Sequence, residues 1–297
     1  MLRAFALAAM LGFAQDPVTL RSDSTLVLIP VAVTDKLNRF VVGLSRENFR
    51  IFEDGKEQRL TTFSGEDAPL SVGILIDTSG SMDTKLNRSR LAAREFLKTM
   101  NVGDEAFLIE FNDTAEMMHG FTGNFDEIDE NLDRLQPKGM TALFDALHTG
   151  LGEMRKARNP RKALLMVSDG GDNHSRFTAE DISNVVKEAD VQIFAIGVFE
   201  PDFRIGRTKE EKSGPRLLSE IAHQTGGRAY PATSLDDLPA LAAKVGIELR
   251  NQYVLGYAPS NSQRDGKYRK VEVKLIQPPG LPPLKAAWRL GYTAPTQ

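Results

Sequence analysis

Between Leu70 and about Arg250 the hydrophobic period switches repeatedly between that of a strand and that of a helix. Ser71–Ile76 is a continuous apolar run, and Ala93, Phe96, Leu97 and Met100 then fall at helical spacing. Ala106–Phe111 and Met117–Phe121 read as strands. Asn124 can cap a helix carrying Phe125, Ile128, Leu132 and Leu135 on one side, and Leu143, Leu147, Leu151 and Met154 form another stripe. Lys162–Ser168 reads as a buried strand. Thr178 with Asp181 makes a capping box for a helix that turns Ile182, Val185, Val186 and Ala189 inward. Val191–Phe199 is the next strand, Pro215 predicts a helix start, Gly227–Tyr230 is a short strand and Ser234–Arg250 a last helix. Strands alternating with helices in this way specify a mostly parallel sheet covered on both faces.

The two flanks follow a different rule, with strand patterns only. On the N-terminal side Leu26, Leu28, Val31 and Val33 alternate around Pro30, which predicts a bulge or an edge strand. Phe40–Val42 is a short second run, and Ser45 can cap a single helical turn. Phe49–Phe52 and Arg59–Phe63 flank Asp54-Gly55, a hairpin signal. After Asn251 come Tyr253–Tyr257, Tyr268–Ile276 and Leu284–Tyr292. Neither set can bury a core alone. Both are therefore expected to form one small β-sandwich into which the α/β unit is inserted. The expected division is 15–68 and 251–297 for the sandwich and 69–250 for the insertion. Glu200–Gly214, charged and aperiodic, reads as a surface loop.

Met1–Ala14 (MLRAFALAAMLGFA) has the form of a secretory leader: Arg3, an apolar stretch too short to span a bilayer, and small Gly12 and Ala14 before a cut at Gln15. This predicts a mature chain without a membrane span, in the periplasm or outside the cell. A formal charge of -3 gives no electrostatic reason to expect nucleic acid. With no Cys, disulfides, thiolate metal sites and Cys nucleophiles are excluded. The four His (His119, His148, His174, His223) lack metal-binding helical spacing. Any metal must therefore sit mainly on oxygen, which favours Mg²⁺, Mn²⁺ or Ca²⁺ over Zn²⁺.

Such oxygens stand where α/β folds bind ligands, at the C-terminal ends of strands. Ser71–Ile76 runs into Asp77-Thr78-Ser79-Gly80-Ser81, in which Asp77, Ser79 and Ser81 alternate so that a tight loop can aim all three at one point. Gly139-Met140-Thr141-Ala142 leads into a helix, and Lys162–Ser168 ends in Asp169-Gly170-Gly171-Asp172. Neither Asp77 nor Asp169 has a Lys or Arg in its own loop, so like-charge strain is expected without metal. Asp83 and Asp172 read as solvated or supporting acceptors, and no partner is legible for His119, His148 or His223.

Over Leu70 to about Arg250 the chain resembles a von Willebrand factor type A domain with a metal-ion-dependent adhesion site. Asp77, Ser79, Ser81, Thr141 and Asp169 match the D-x-S-x-S, Thr and Asp of that site. With Glu53–Gly55 and Tyr253–Tyr257 in the flanks, it also resembles secreted bacterial proteins that carry such a domain between β-rich segments. The resemblance implies a Rossmann-like doubly wound sheet and a bound Mg²⁺, with Mn²⁺ or Ca²⁺ as alternatives. Ser79, Ser81 and Thr141 would be ligands, with Asp77 and Asp169 acting largely through water or as acceptors that fix those hydroxyls. It further implies a protein partner that presents an acidic residue to the metal, in adhesion or scaffolding rather than catalysis.

The alternative is a phosphoesterase-like metal-dependent enzyme with Asp77 as nucleophile, because Asp77 with Asp169-Gly-Gly-Asp172-Asn173 superficially resembles a haloacid-dehalogenase-type phosphatase. That chemistry needs a second carboxylate where this chain has Ser79. Without it the leaving group lacks its proton donor, a contribution of roughly 10²–10⁴-fold.

Overall fold

A computed structural model of the chain describes residues 26–65, 67–198 and 209–296. The leader read at Met1–Ala14 lies outside them. The N-terminal strands are β1 (Val27–Thr34), β2 (Phe49–Glu53), β3 (Lys56–Gln58) and β4 (Leu60–Ser64). Next come β5 (Leu70–Asp77), α1 (Leu86–Leu97), β6 (Glu105–Phe111), β7 (Ala115–Thr122), α2 (Phe125–Leu132) and α3 (Leu143–Glu153). They are followed by β8 (Arg161–Ser168), α4 (Ala179–Glu188), β9 (Gln192–Val198), α5 (Lys209–Gln224), β10 (Ala229–Ala232) and α6 (Leu238–Arg250). The chain ends in β11 (Gln252–Tyr257), β12 (Tyr268–Leu275), β13 (Lys285–Trp288) and β14 (Gly291–Thr293).

The central sheet has the order β10-β9-β8-β5-β6-β7. All its pairings are parallel except β6 with β7. The continuous apolar strands are buried on both faces, as crossover helices require. On one face Ile74, Ile76 and Val167 pack with Phe96, Val245 and Leu249 of α1 and α6. On the other Leu75, Leu164 and Ile193 pack with Leu147, Ile182 and Leu218 of α3, α4 and α5. This is the doubly wound α/β sheet that the alternating periods predict.

The flanking strands form two further sheets, β13-β1-β11-β4 and β14-β12-β2-β3, each mixing strands from both ends of the chain. Ile29, Val31, Phe49, Ile51, Leu255, Tyr257 and Val273 share one core between them. Glu53 of β2 is buried there and accepts hydrogen bonds from the hydroxyls of Tyr257 (2.9 Å) and Tyr292 (2.7 Å). The Tyr253 hydroxyl donates to the Val41 carbonyl and accepts the Leu44 N–H, both at 2.9 Å, and so ties down the stretch before β2.

Several sequence expectations change in detail. Asp54-Gly55 does make a hairpin turn, with φ of 48° and 83°. But it joins β2 to β3, and the chain then changes sheets at Arg59, so that Leu60–Ser64 pairs with β11 instead. Leu284–Tyr292 is not one strand: Lys285–Trp288 pairs with β1, and Gly291–Thr293 pairs with β12 in the other sheet. Phe40–Val42 supplies only an isolated bridge from Phe40 to Thr34. Pro30 lies inside β1 opposite Val254, where β13 reaches only Val31–Thr34 and leaves that side locally open. Pro215 lies inside α5 rather than at its start, and Lys209–Gly214 is helical rather than loop. The rest of the expected loop lies outside the described residues.

Candidate metal centre

β5, β8 and the loop before α3 deliver the candidate residues to the C-terminal edge of the parallel sheet. Asp77 is the last residue of β5, and Asp169 follows the last residue of β8. Because β5 and β8 are direct parallel neighbours, their ends lie side by side. Thr141 is tied by its backbone to the loop after β8. Its N–H donates to Asn173 Oδ1 at 2.9 Å, and its carbonyl accepts the N–H groups of Asn173 and His174, each at 3.0 Å. The Gly80 N–H donates to the Gly139 carbonyl at 3.0 Å, and the Lys138 N–H to the Thr78 carbonyl at 2.8 Å. The three loops are thus cross-linked through main chain before any ligand is considered.

Asp77 is fully buried. Its Oδ1 accepts the Ser79 N–H at 2.9 Å, and its Oδ2 accepts the Ser168 hydroxyl at 2.6 Å. Ser168 Oγ also accepts the Gly170 N–H at 2.9 Å, which links Asp77 to the turn that carries Asp169. Gly170 has φ +78°, and a Cβ there would lie 2.7 Å from Gly214 in α5, so this turn requires glycine. The hydroxyls of Ser79 and Ser81 are 3.1 Å apart. Ser79, Thr141 and Asp169 are buried while Ser81 is exposed, so the cluster opens to solvent on one side.

The Asp77 carboxyl is pushed up to about 7, first by burial and then by the like charge of Asp169, against the hydrogen bonds from Ser168 and Ser79. A folded-state value above the ordinary 3.8 stabilises the fold below that ordinary value, and this contribution is lost as pH rises through about 7. In EDTA the unfolding temperature of the wild type is expected to fall by about 5 °C between pH 5 and pH 8 relative to that of Asp77→Asn. Parallel pH profiles for the two proteins would show that Asp77 does not titrate there. Cation binding requires the ionised carboxylate, so affinity should rise over the same interval.

These donors fit a hard divalent cation. Neutral hydroxyl oxygens and two carboxylates suit Mg²⁺, and a buried carboxylate beside a second one is the arrangement a divalent charge relieves. Among the described residues no group of three or more Asp, Glu or His converges, so the fit rests on the hydroxyls.

The structure corrects one electrostatic expectation. A cation does stand at the centre: Lys85 Nζ, from the residue before α1, lies 3.4 Å from Asp169 Oδ2. Ser168 and Asn173 are further supports missed in the sequence, although both adjoin expected loop residues. Of the two readings offered for Asp172, the structure shows the supporting acceptor. It is half-buried, and its Oδ1 accepts the Ser175 hydroxyl at 2.5 Å and the Phe144 N–H of α3 at 3.3 Å. Asp83 stays exposed. His148 stacks on Phe177 with ring centroids 4.1 Å apart, and His119 Nε2 lies 3.5 Å from Glu127, so both have partners that the sequence hid.

Residues 72–171 match the von Willebrand factor type A domain. A UPF0353 protein from Mycolicibacterium paratuberculosis is 26% identical over 213 residues, covering 63% of this chain and 62% of that protein. The chain therefore spans less than two thirds of the length of the curated relatives it matches. Among solved structures, a von Willebrand factor type A protein from Catenulispora acidiphila is similar with a TM-score of 0.53 at 15% identity, over 92% of this chain and 74% of that one. Proximal thread matrix protein 1 from the mussel byssus is similar with a TM-score of 0.52 at 20% identity, over 67% of this chain and 51% of that one. At these identities the likeness is one of fold.

Proposed function

We propose that this chain is a metal-dependent protein-binding module of the cell envelope or exterior, acting in adhesion or scaffolding. Asp77, Ser79, Ser81, Thr141 and Asp169 would hold Mg²⁺, or Mn²⁺ or Ca²⁺ in its place. A partner protein would supply an acidic side chain. The observation that carries this reading is the all-oxygen cluster at the open edge of the sheet, where Asp77 is buried with both carboxylate oxygens hydrogen-bonded. The match to a von Willebrand factor type A domain supports it.

When bound, the ion supplies an electrophilic position able to take a carboxylate oxygen. The protein's residues supply the rest. Ser79, Ser81 and Thr141 offer neutral oxygens that leave such an ion undercharged. Ser168 orients Asp77, and Asn173 holds the Thr141 backbone. Around them Lys138, Met140 and His174 stand exposed on loops tied to the same main-chain links. They suit contact with an acidic side chain and its apolar neighbours. A mature chain from Gln15, divided at 69 and 250, in the periplasm or outside the cell, belongs to the same proposal. Among the described residues no helix is long and apolar enough to cross a membrane.

Nothing favours the phosphoesterase reading. That chemistry needs a second carboxylate as proton donor two residues after the nucleophile, and Ser79 stands there instead.

The test is affinity capture from envelope extracts with wild type and Asp77→Ala, with and without EDTA. Capture should need both Asp77 and metal. Thr141→Ala should weaken partner binding by at least ~10-fold, the loss of one charge-assisted contact, with unchanged circular dichroism. Partner binding by Thr141→Ala as tight as that of the wild type would remove the metal from the interface.

A further inference from the structure

Lys85 sits at the centre without belonging to the five candidate ligands. Its backbone is fixed in the turn that follows Ser81: its N–H donates to the Met82 carbonyl at 2.9 Å, and its own carbonyl accepts the Arg88 and Ser89 N–H groups, each at 3.0 Å. From that root the side chain reaches across to the β8 loop, where Nζ lies 3.4 Å from Asp169 Oδ2. The Lys85 side chain is only 14% exposed and that of Asp169 only 7%. An ammonium so enclosed has lost much of its hydration, and a paired negative charge is what offsets the loss.

We propose that Lys85 is a resident counter-ion of this centre. Its ammonium neutralises Asp169 when no ion is bound and competes with a divalent cation for that carboxylate, so Lys85 sets the ion concentration at which the centre loads. The proposal rests on the metal-binding reading above. The physics is simple exclusion. An ammonium and a dication drawn to the same carboxylate repel each other at short range. Either the ammonium leaves toward solvent and breaks its pair, or it stays and opposes the ion. Both weaken binding. The flexible four-carbon stem of lysine makes departure feasible, because only the head need move while the root stays in its turn. The same pair holds the Asp169 side chain in place in the ion-free protein, so an empty centre need not loosen its loops.

The test uses the full chain as wild type, Lys85→Met and Lys85→Arg, with calorimetric titration of MgCl₂ and thermal unfolding in EDTA. Methionine keeps an apolar stem and removes the charge; arginine keeps the charge. Lys85→Met should bind Mg²⁺ about ten-fold more tightly, the factor carried by one part-buried charged contact, and should unfold about 3–5 °C lower in EDTA. Lys85→Arg should stay near wild type in both measurements. Mg²⁺ binding that is unchanged or weaker in Lys85→Met, while the wild type binds, overturns the competition and leaves the metal reading standing. Binding by neither protein overturns the metal reading and this proposal with it. Binding by Lys85→Met alone supports the competition in its strongest form. If Lys85→Met does not fold in EDTA, recovery of its fold in millimolar Mg²⁺ supports the exchange of one cation for another, and failure to recover counts against it.

Discussion

Saturating Mg²⁺ should raise the unfolding temperature of the α/β unit by ~5–10 °C. A ligand that binds only the folded state stabilises it by ~2.7 kcal/mol at 100 times its Kd, and 1 kcal/mol moves Tm by roughly 2–4 °C for a unit of this size. The physical source is the buried Asp77 carboxylate, which lies beside Asp169 and has only neutral hydrogen-bond donors of its own. The two carboxylates differ in what their removal does. In Asp77→Asn the side-chain oxygen can still accept the Ser79 N–H, and the amide can meet the Ser168 hydroxyl. This variant should lose most of the metal-dependent rise while being at least as stable as the wild type in EDTA. Asp169→Asn should lose the rise too, but it strips Lys85 of its charged partner and should not gain stability without metal. Differential scanning calorimetry of the three proteins in EDTA and in millimolar Mg²⁺ checks both statements. Equal Tm values in the two buffers for the wild type, with no heat of Mg²⁺ binding, would show a centre that does not hold the ion.

Removing the chain after Asn251 should abolish folding of the β-sandwich while leaving the parallel sheet folded. β11 lies between β1 and β4, and β12 between β2 and β14. Their loss leaves β1 and β4 with no strand neighbours and β2 with only the short β3. Ile29, Val31, Val33, Phe49 and Ile51 would face water, and burial of each such side chain is worth ~1.5–3 kcal/mol. The sum is comparable with the whole stability of an ordinary domain, about 5–15 kcal/mol. Glu53 would also lose both tyrosine hydroxyls that satisfy it. The parallel sheet keeps its helices, including α6 up to Arg250, which pairs with Asp104 at the end of the sheet opposite Asp77 and Asp169. Calorimetry of the shortened chain should therefore show the α/β transition alone, and limited proteolysis should cut freely within residues 26–65. Protection of those residues in the shortened chain would mean that the N-terminal strands do not depend on the C-terminal ones.

The elements built from local repeats were legible in the residues themselves. The apolar runs that became β5, β6, β8 and β9 needed only their composition to read as buried parallel strands. Thr178 with Asp181 makes its capping box within one turn, and Asp54-Gly55 takes the positive φ values of its turn, because both depend on neighbours a few residues away. The alternation of Asp77, Ser79 and Ser81 after such a strand likewise marked the end of the sheet at which the cluster sits. What sequence could not show was which strand a segment would join. Arg59–Phe63 reads as the second arm of the Asp54-Gly55 hairpin, yet Lys56–Gln58 takes that place, because β11, some two hundred residues later, offers Leu60–Ser64 a different partner. Leu284–Tyr292 divides for the same reason. Pro215 marks a helix start by propensity, but α5 runs through it and lays Gly214 against the Gly170 turn. Nothing along the chain singles out Lys85; packing alone brings its head to Asp169. Periodicity and turn chemistry are short-range properties and can be read along the chain. Strand partnership and the pairing of distant charges depend on which surfaces meet, and only the folded chain decides that.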